Sequence, residues 1–229
     1  MGDRLTDNNP NITDLSDRNR PTKLAERCAK LFDKQWTDAF DILGKYFDTE
    51  ENVIEALLWI LQDVMTFCET KAHRQMEKLG RELIFADKHE SEEISADVRK
   101  LFKDCRKTVP PVALGNLYKV YVSHLGQSTD KTLRTAVEVS SYTAECLEIC
   151  WFMVIHDPPV VFSPLLRRGS SFNTDLYRPY TSSGTHVDYV VWPPLLLQLG
   201  WSNSGERCSS GIRQEIIKGY IMKYLCHIS

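Results

Sequence analysis

The chain reads as a mainly α-helical domain of about five helices, with an irregular proline-rich C-terminal part and one short strand or hairpin. Three observations predict this class. Apolar residues recur at three- and four-residue steps in separate stretches from Leu24 to Met153. The most apolar stretch, Ala144 to Phe162 (AECLEICWFMVIHDPPVVF), sets Cys146, Ile149, Cys150 and Met153 at that spacing beside Leu147, Trp151 and Val154. A surface that wide belongs to a helix buried on most sides. Beyond Pro158 and Pro159 the helical period stops, because proline cannot donate a backbone hydrogen bond and Pro158 pushes Asp157 out of helical geometry.

Taken in order, residues 1–20 are rich in Asp, Asn, Arg and Thr and predict a disordered polar tail. Residues 21–200 form the helical domain. Thr22 is the expected N-cap of its first helix, whose stripe is Leu24, Cys28, Leu31, Phe32, Ala39 and Leu43, with Trp36 and Phe40 on the flank. Asp48 and Glu51 have capping-box spacing ahead of a long helix from Ile54 past Leu79, which Gly80 is expected to kink or end. A third helix starts near Ser91 and stops at Thr108-Val-Pro-Pro. A fourth runs from Val112 to Leu125, and Thr129 or Asp130 is expected to cap the helix carrying the apolar stretch. Val187–Trp192 is β-prone and is cut off by Pro193 and Pro194. Residues 201–229 lack a strong apolar stripe and predict a poorly packed tail.

A net charge of −3 creates no general attraction for nucleic acid, and the cations are not interleaved with stacking aromatics. Nucleic acid is therefore not an expected partner. No run of ~18 uncharged apolar residues predicts a membrane span. Seven cysteines, scattered through helical pattern behind a polar N-terminus, predict reduced thiols in the cytoplasm.

Cys146, Cys150 and His156 have a spacing zinc could use, but a fourth ligand is missing from the pattern, so the cysteines read as core thiols. His156-Asp157 could orient an imidazole, yet no nucleophile elbow, zinc-binding helix motif or glycine-rich phosphate loop accompanies it. The sequence predicts no enzyme, no metal and no cofactor. Its sharpest charged feature is the third helix. Val98, Leu101, Phe102 and Cys105 face one way, and Arg99, Lys100, Lys103, Arg106 and Lys107 face the other. Such a face suits an anionic lipid surface, at about 1 kcal/mol per cation, although an ordinary solvated helix shows the same pattern. Arg167 and Arg168, beside Leu165 and Leu166, make a second basic spot.

Two motifs carry a resemblance. ECLEICWFMVIHDPPVVF resembles the C-terminal domain of the mitochondria-eating protein (Mieap) family, where a Cys-Trp-Met-like helix end precedes Asp-Pro-Pro. Tyr180 to Leu197, YTSSGTHVDYVVWPPLLL, is similar to that family's Gly-x-x-Val-Asp-Tyr-Val-Val-Trp-Pro signature. The matched positions are Cys150, Trp151, Asp157, Pro158, Pro159, Gly184, Asp188, Trp192 and Pro193, and the resemblance implies structural roles for them. It spans about residues 22–198. It implies a non-enzymatic module of mitochondrial quality control and mitophagy that binds cardiolipin, an anionic phospholipid, and contacts the mitochondrial outer membrane peripherally. It also implies self-association. The alternative is a protein–protein adaptor without a lipid role. Two departures stand out. The family carries coiled-coil sequence before this domain, where this chain has a short polar tail. Its Gly-rich apolar continuation is replaced here by Gly200-Trp-Ser-Asn-Ser-Gly, which suggests a truncated or alternatively spliced form.

Overall fold

The computed structural model describes residues 19–84, 95–108, 110–171, 174, 177–181, 184–199, 213–216 and 224–228. The helical part comprises α1 (Pro21–Leu31), a π turn (Phe32–Trp36), α2 (Thr37–Leu43), α3 (Glu50–Ile84), α4 (Ala96–Thr108) and α5 (Pro110–Gln127). It continues with α6 (Lys131–Arg134), a 3-10 turn (Thr135–Val137) and α7 (Ser140–Ile155). The mainly helical class is as the sequence predicts.

Helix ends differ from expectation in instructive ways. The first helix begins on Pro21 with no side-chain cap. Proline at the first helical position lacks only an N–H that would be unpaired anyway, so Thr22 is not needed as a cap. α3 is capped by Thr49, whose Oγ1 accepts from the Asn52 N–H at 3.2 Å, rather than by an Asp48–Glu51 box. Gly80 neither ends nor divides it, and its 35 residues extend about 50 Å at 1.5 Å each. α4 is capped by Ser95, which accepts from the Val98 N–H at 3.4 Å; the expected start at Ser91 lies outside the described residues. Asp130 caps α6, accepting from Thr132 and Leu133, and the 3-10 turn separates that helix from α7. The π turn widens the first helix locally. Trp36 there is buried rather than flanking, and Phe32, Trp36 and Phe40 stack with centroids 4.7 and 5.4 Å apart.

α7 is the centre of the molecule and packs against α1, α3, α4 and α5. Tyr142, Cys146, Leu147, Ile149, Cys150, Trp151, Phe152, Met153 and Ile155 are all buried. Its few polar atoms are satisfied locally. The Thr143 hydroxyl donates to the Ala136 carbonyl at 2.7 Å, and the Tyr142 hydroxyl to the Leu57 carbonyl at 3.0 Å. Cys28, Cys68, Cys146 and Cys150 are buried free thiols. Burial pushes Cys28 up to about 12 and raises the others, so these thiols stay protonated. At the rim, Arg27 of α1 clasps Glu145 and Glu148 of α7, each at 2.8 Å.

The C-terminal part holds more β-structure than the single strand or hairpin expected. β1 (Val160–Phe162), β4 (Leu195–Leu199) and β5 (Arg213–Ile216) form an antiparallel sheet with β4 central. β2 (Tyr177–Pro179) and β3 (Val187–Val190) flank β6 (Tyr224–Ile228), parallel and antiparallel respectively. Short strands with one-sided burial carry a weak sequence period. β5 and β6 lie in the segment expected to pack poorly, and both are paired. Val191, Trp192, Pro193 and Pro194, which lead from one sheet to the other, are buried. Trp192 meets Phe32 edge-on at 5.4 Å.

Trp151→Ala is expected to cost about 3–5 kcal/mol, the range for deleting a buried aromatic. Urea unfolding measures it, and a loss below about 1 kcal/mol would show that α7 is not the centre of the core.

Candidate functional site

The cations of α4 do not stand free of the protein as the periodicity suggests. The outermost side of the helix is Asp97, Lys100, Leu101, Asp104 and Cys105, with Leu101 62% exposed. Phe102, Arg99, Lys103 and Arg106 are partly buried. The Arg106 guanidinium lies over the Trp151 ring, 5.3 Å from its centroid, and Nη2 reaches the Ala72 carbonyl at 3.4 Å. Its Nε is buried and has no hydrogen-bond partner among the described residues, and burial lowers its pKa to about 10. Lys103 pairs with Asp157 at 2.9 Å. The rotation away from the predicted face has a physical cause. Long cationic side chains bury their stems while an aromatic face, a carbonyl and a carboxylate hold their heads.

Those partners explain two family-motif positions. Trp151 supplies the ring and Asp157 the carboxylate. The Asp157–Pro158 peptide is cis, and His156 Nδ1 donates to the Pro158 carbonyl at 2.8 Å. His156 thus fastens the corner after α7, and Asp157 faces α4.

Arg168 is positioned by a turn. The Ser170 N–H bonds the Arg167 carbonyl at 3.0 Å, and Gly169 sits at φ +80°. That is the position of a type II turn that favours glycine. The Gly169 N–H and the Val187 N–H then bond across to Val187 and Ser170 carbonyls, stitching the turn to β3. Arg168 Nη2 meets Asp188 at 2.6 Å, and Nη1 lies 3.6 Å from Glu51 of α3. Asp188, in the second family motif, therefore anchors this arginine. Arg167 is exposed. The two basic spots are not one patch: α4 meets α3 at Ala72 and Arg168 meets it at Glu51, about 30 Å apart along the helix.

Beside Arg168 lies an open cleft of about 770 Å³, walled by the N-terminal half of α3, the α6 cap, the Leu165–Arg168 loop and β3. Trp59 stands in it 49% exposed, with Nε1 donating to Asp130 Oδ2 at 3.0 Å. Asp130 is thereby shared between the α6 cap and Trp59. Burial works against its charge, but the Trp59, Leu133 and Thr132 donors outweigh it and hold the carboxyl below its ordinary range. Sequence reasoning missed Trp59 and this cleft. The available signal was a tryptophan on the polar side of the α3 stripe, between Glu55 and Asp63.

The fold thus defines a helical domain built on a buried central helix, with a cation-rich helix toward one end of α3 and an open cleft at the other. A family model for the mitochondria-eating protein matches residues 20–203. The chain belongs to that family, which makes it a protein of mitochondrial quality control. No curated protein and no solved structure matches it. Among the described residues, no helix is long and apolar enough to cross a membrane.

Substitutions at two positions test this geometry. Arg106→Met keeps an apolar stem on Trp151 without the desolvated charge and is expected to cost under about 1 kcal/mol. Arg106→Glu, which buries a carboxylate there, is expected to cost more than about 2 kcal/mol; equal costs in chemical denaturation would refute the packed guanidinium. Gly169→Ala meets no steric contact at its Cβ but keeps the positive φ, so a loss of about 1–2 kcal/mol is expected from backbone strain. An unchanged midpoint would rule out that turn.

Proposed function

We propose that this chain is a non-enzymatic module of mitochondrial quality control that contacts anionic phospholipid, cardiolipin above all, at the cytoplasmic face of the mitochondrial outer membrane. The observation that carries the reading is the outer edge of α4. Leu101 is 62% exposed, Lys100 beside it is exposed, and Lys107, partly buried, follows two turns later. A leucine flanked by lysines can enter the head-group boundary while the ammonium groups stay among the phosphates. Asp97 and Asp104 share the outer side and reduce the local positive field. Charge alone is then a weaker basis for binding than charge combined with the apolar contact. Arg106 and Lys103, engaged with Trp151 and Asp157, act chiefly in seating the helix. Arg167 is a second candidate contact.

Vesicle flotation tests the reading. The protein is expected to float with cardiolipin-containing vesicles, to stay behind with neutral ones, and to release as salt rises, because exposed charges are screened within ~10 Å at 0.1 M. Lys100→Glu with Lys107→Glu, and separately Leu101→Asn, should each sharply reduce flotation while circular dichroism stays unchanged. Undiminished binding by both folded variants would remove α4 from the mechanism.

A further inference from the structure

We propose that the cleft between α3, the α6 cap and β3 docks a basic segment of a partner protein, one that sets an arginine or lysine beside an apolar anchor. This does not depend on the lipid reading. The apolar part of the surface comes first. Trp59 is half exposed, Leu165 is 37% exposed, and Leu166 and Tyr189 are partly buried beside them. The bond to Asp130 holds the indole in place, so little rotamer freedom remains to be lost on binding. A tryptophan fixed in an open pocket has the character of an interface anchor.

The charges then select the occupant. Glu51, Glu55, Asp130 and Asp188 line the cleft against one cation, Arg168. Glu55 is exposed, and its carboxylate has no partner among the described residues. Arg168 itself shows that Glu51 and Asp188 accept a guanidinium at this place. The local field is negative enough to be felt by a neighbouring phenol. Tyr189 is pushed up first by its burial and then by Glu51, Asp188 and Glu50. A phosphate head group would meet the same sign of charge here, and so would an acidic peptide. A second copy of this chain carries a lysine beside a leucine at Lys100–Leu101, so self-association is the competing occupant that sedimentation tests. A cationic segment with an aromatic or aliphatic side chain satisfies both the charge and the apolar wall, and complementarity of this kind chiefly sets specificity and association rate.

The test uses the full chain and a short fluorescein-labelled peptide of Lys, Arg, Leu and Trp. A Glu-for-Lys copy and a Ser-for-Leu copy serve as controls. Fluorescence anisotropy should show the cationic amphipathic peptide binding at least about tenfold more tightly than either control. Glu55→Lys and Trp59→Ala should each weaken it by a similar factor. Glu138→Lys, outside the cleft, should not, and neither should Lys100→Glu with Lys107→Glu. The Trp59 indole N–H resonance should shift on addition of peptide. Glu55 is exposed and unpaired, so Glu55→Lys preserves the fold even if Trp59→Ala does not. Absence of binding, or equal binding by wild type and Glu55→Lys, overturns the proposal. So does sedimentation showing that Glu55→Lys converts a dimer to a monomer, since that would give the cleft to a second copy.

Discussion

The structure depends on burying most of α7. A helix of that composition offers water only the narrow strip of Ser141, Ala144, Glu145 and Glu148, so it is stable only when other elements enclose the rest. α1, α3, α4 and α5 supply the enclosure. The requirement explains why the polar atoms of α7 are bonded to nearby carbonyls, as with Tyr142 and Thr143. It also explains the four protonated thiols, which serve as small apolar groups where helices approach closely. The ion pairs from Arg27 to Glu145 and Glu148 lie at the edge of this packing, where partial exposure limits their contribution to about 1 kcal/mol.

The end of α7 links the core to the charged surface. The two prolines stop the helix, and the corner they make brings Asp157 within 2.9 Å of Lys103. One turn earlier, Trp151 offers its ring to Arg106. A single motif, Cys-Trp followed by Asp-Pro-Pro, therefore both closes the central helix and fixes the rotation of α4. That rotation turns Arg106 inward and leaves Leu101 outside. The proposed lipid contact therefore moves from a purely ionic face to the Lys100–Leu101 edge.

How far the sequence reveals this differs by element. α3 and α7 are legible because long apolar periods leave few alternatives. Caps are less so: Thr49 and Pro21 compete with Asp48 and Thr22 a residue away, and local backbone geometry decides between them. The described strands are mostly invisible, since β4 is leucine at four of its five positions, with no apolar–polar alternation until Gln198, and β1 and β2 have three residues each. The orientation of α4 could not be read from its own residues. It is set by Trp151, Asp157 and Ala72, which are remote in sequence. The cleft was hidden for the same reason, since Trp59, Asp130 and Arg168 meet only after the loop, the α6 cap and α3 are assembled.

α3 has a polarity that the two proposed surfaces share. Glu50 and Glu51 occupy its first turn, where the positive end of the helix dipole favours carboxylates. Glu51 also lines the cleft and adds to its negative sign, so helix stability and cleft chemistry select the same residue type at that position. Some 30 Å along the helix the neighbouring surface is α4, rich in cations held over Trp151 and Asp157. That separation exceeds the screening length at ordinary salt several-fold. The two surfaces are therefore electrostatically independent, and each can meet an oppositely charged partner without opposing the other. A domain that touches an anionic membrane at one end and a basic protein segment at the other can hold the two together, which is a physical basis for an adaptor at a mitochondrial surface.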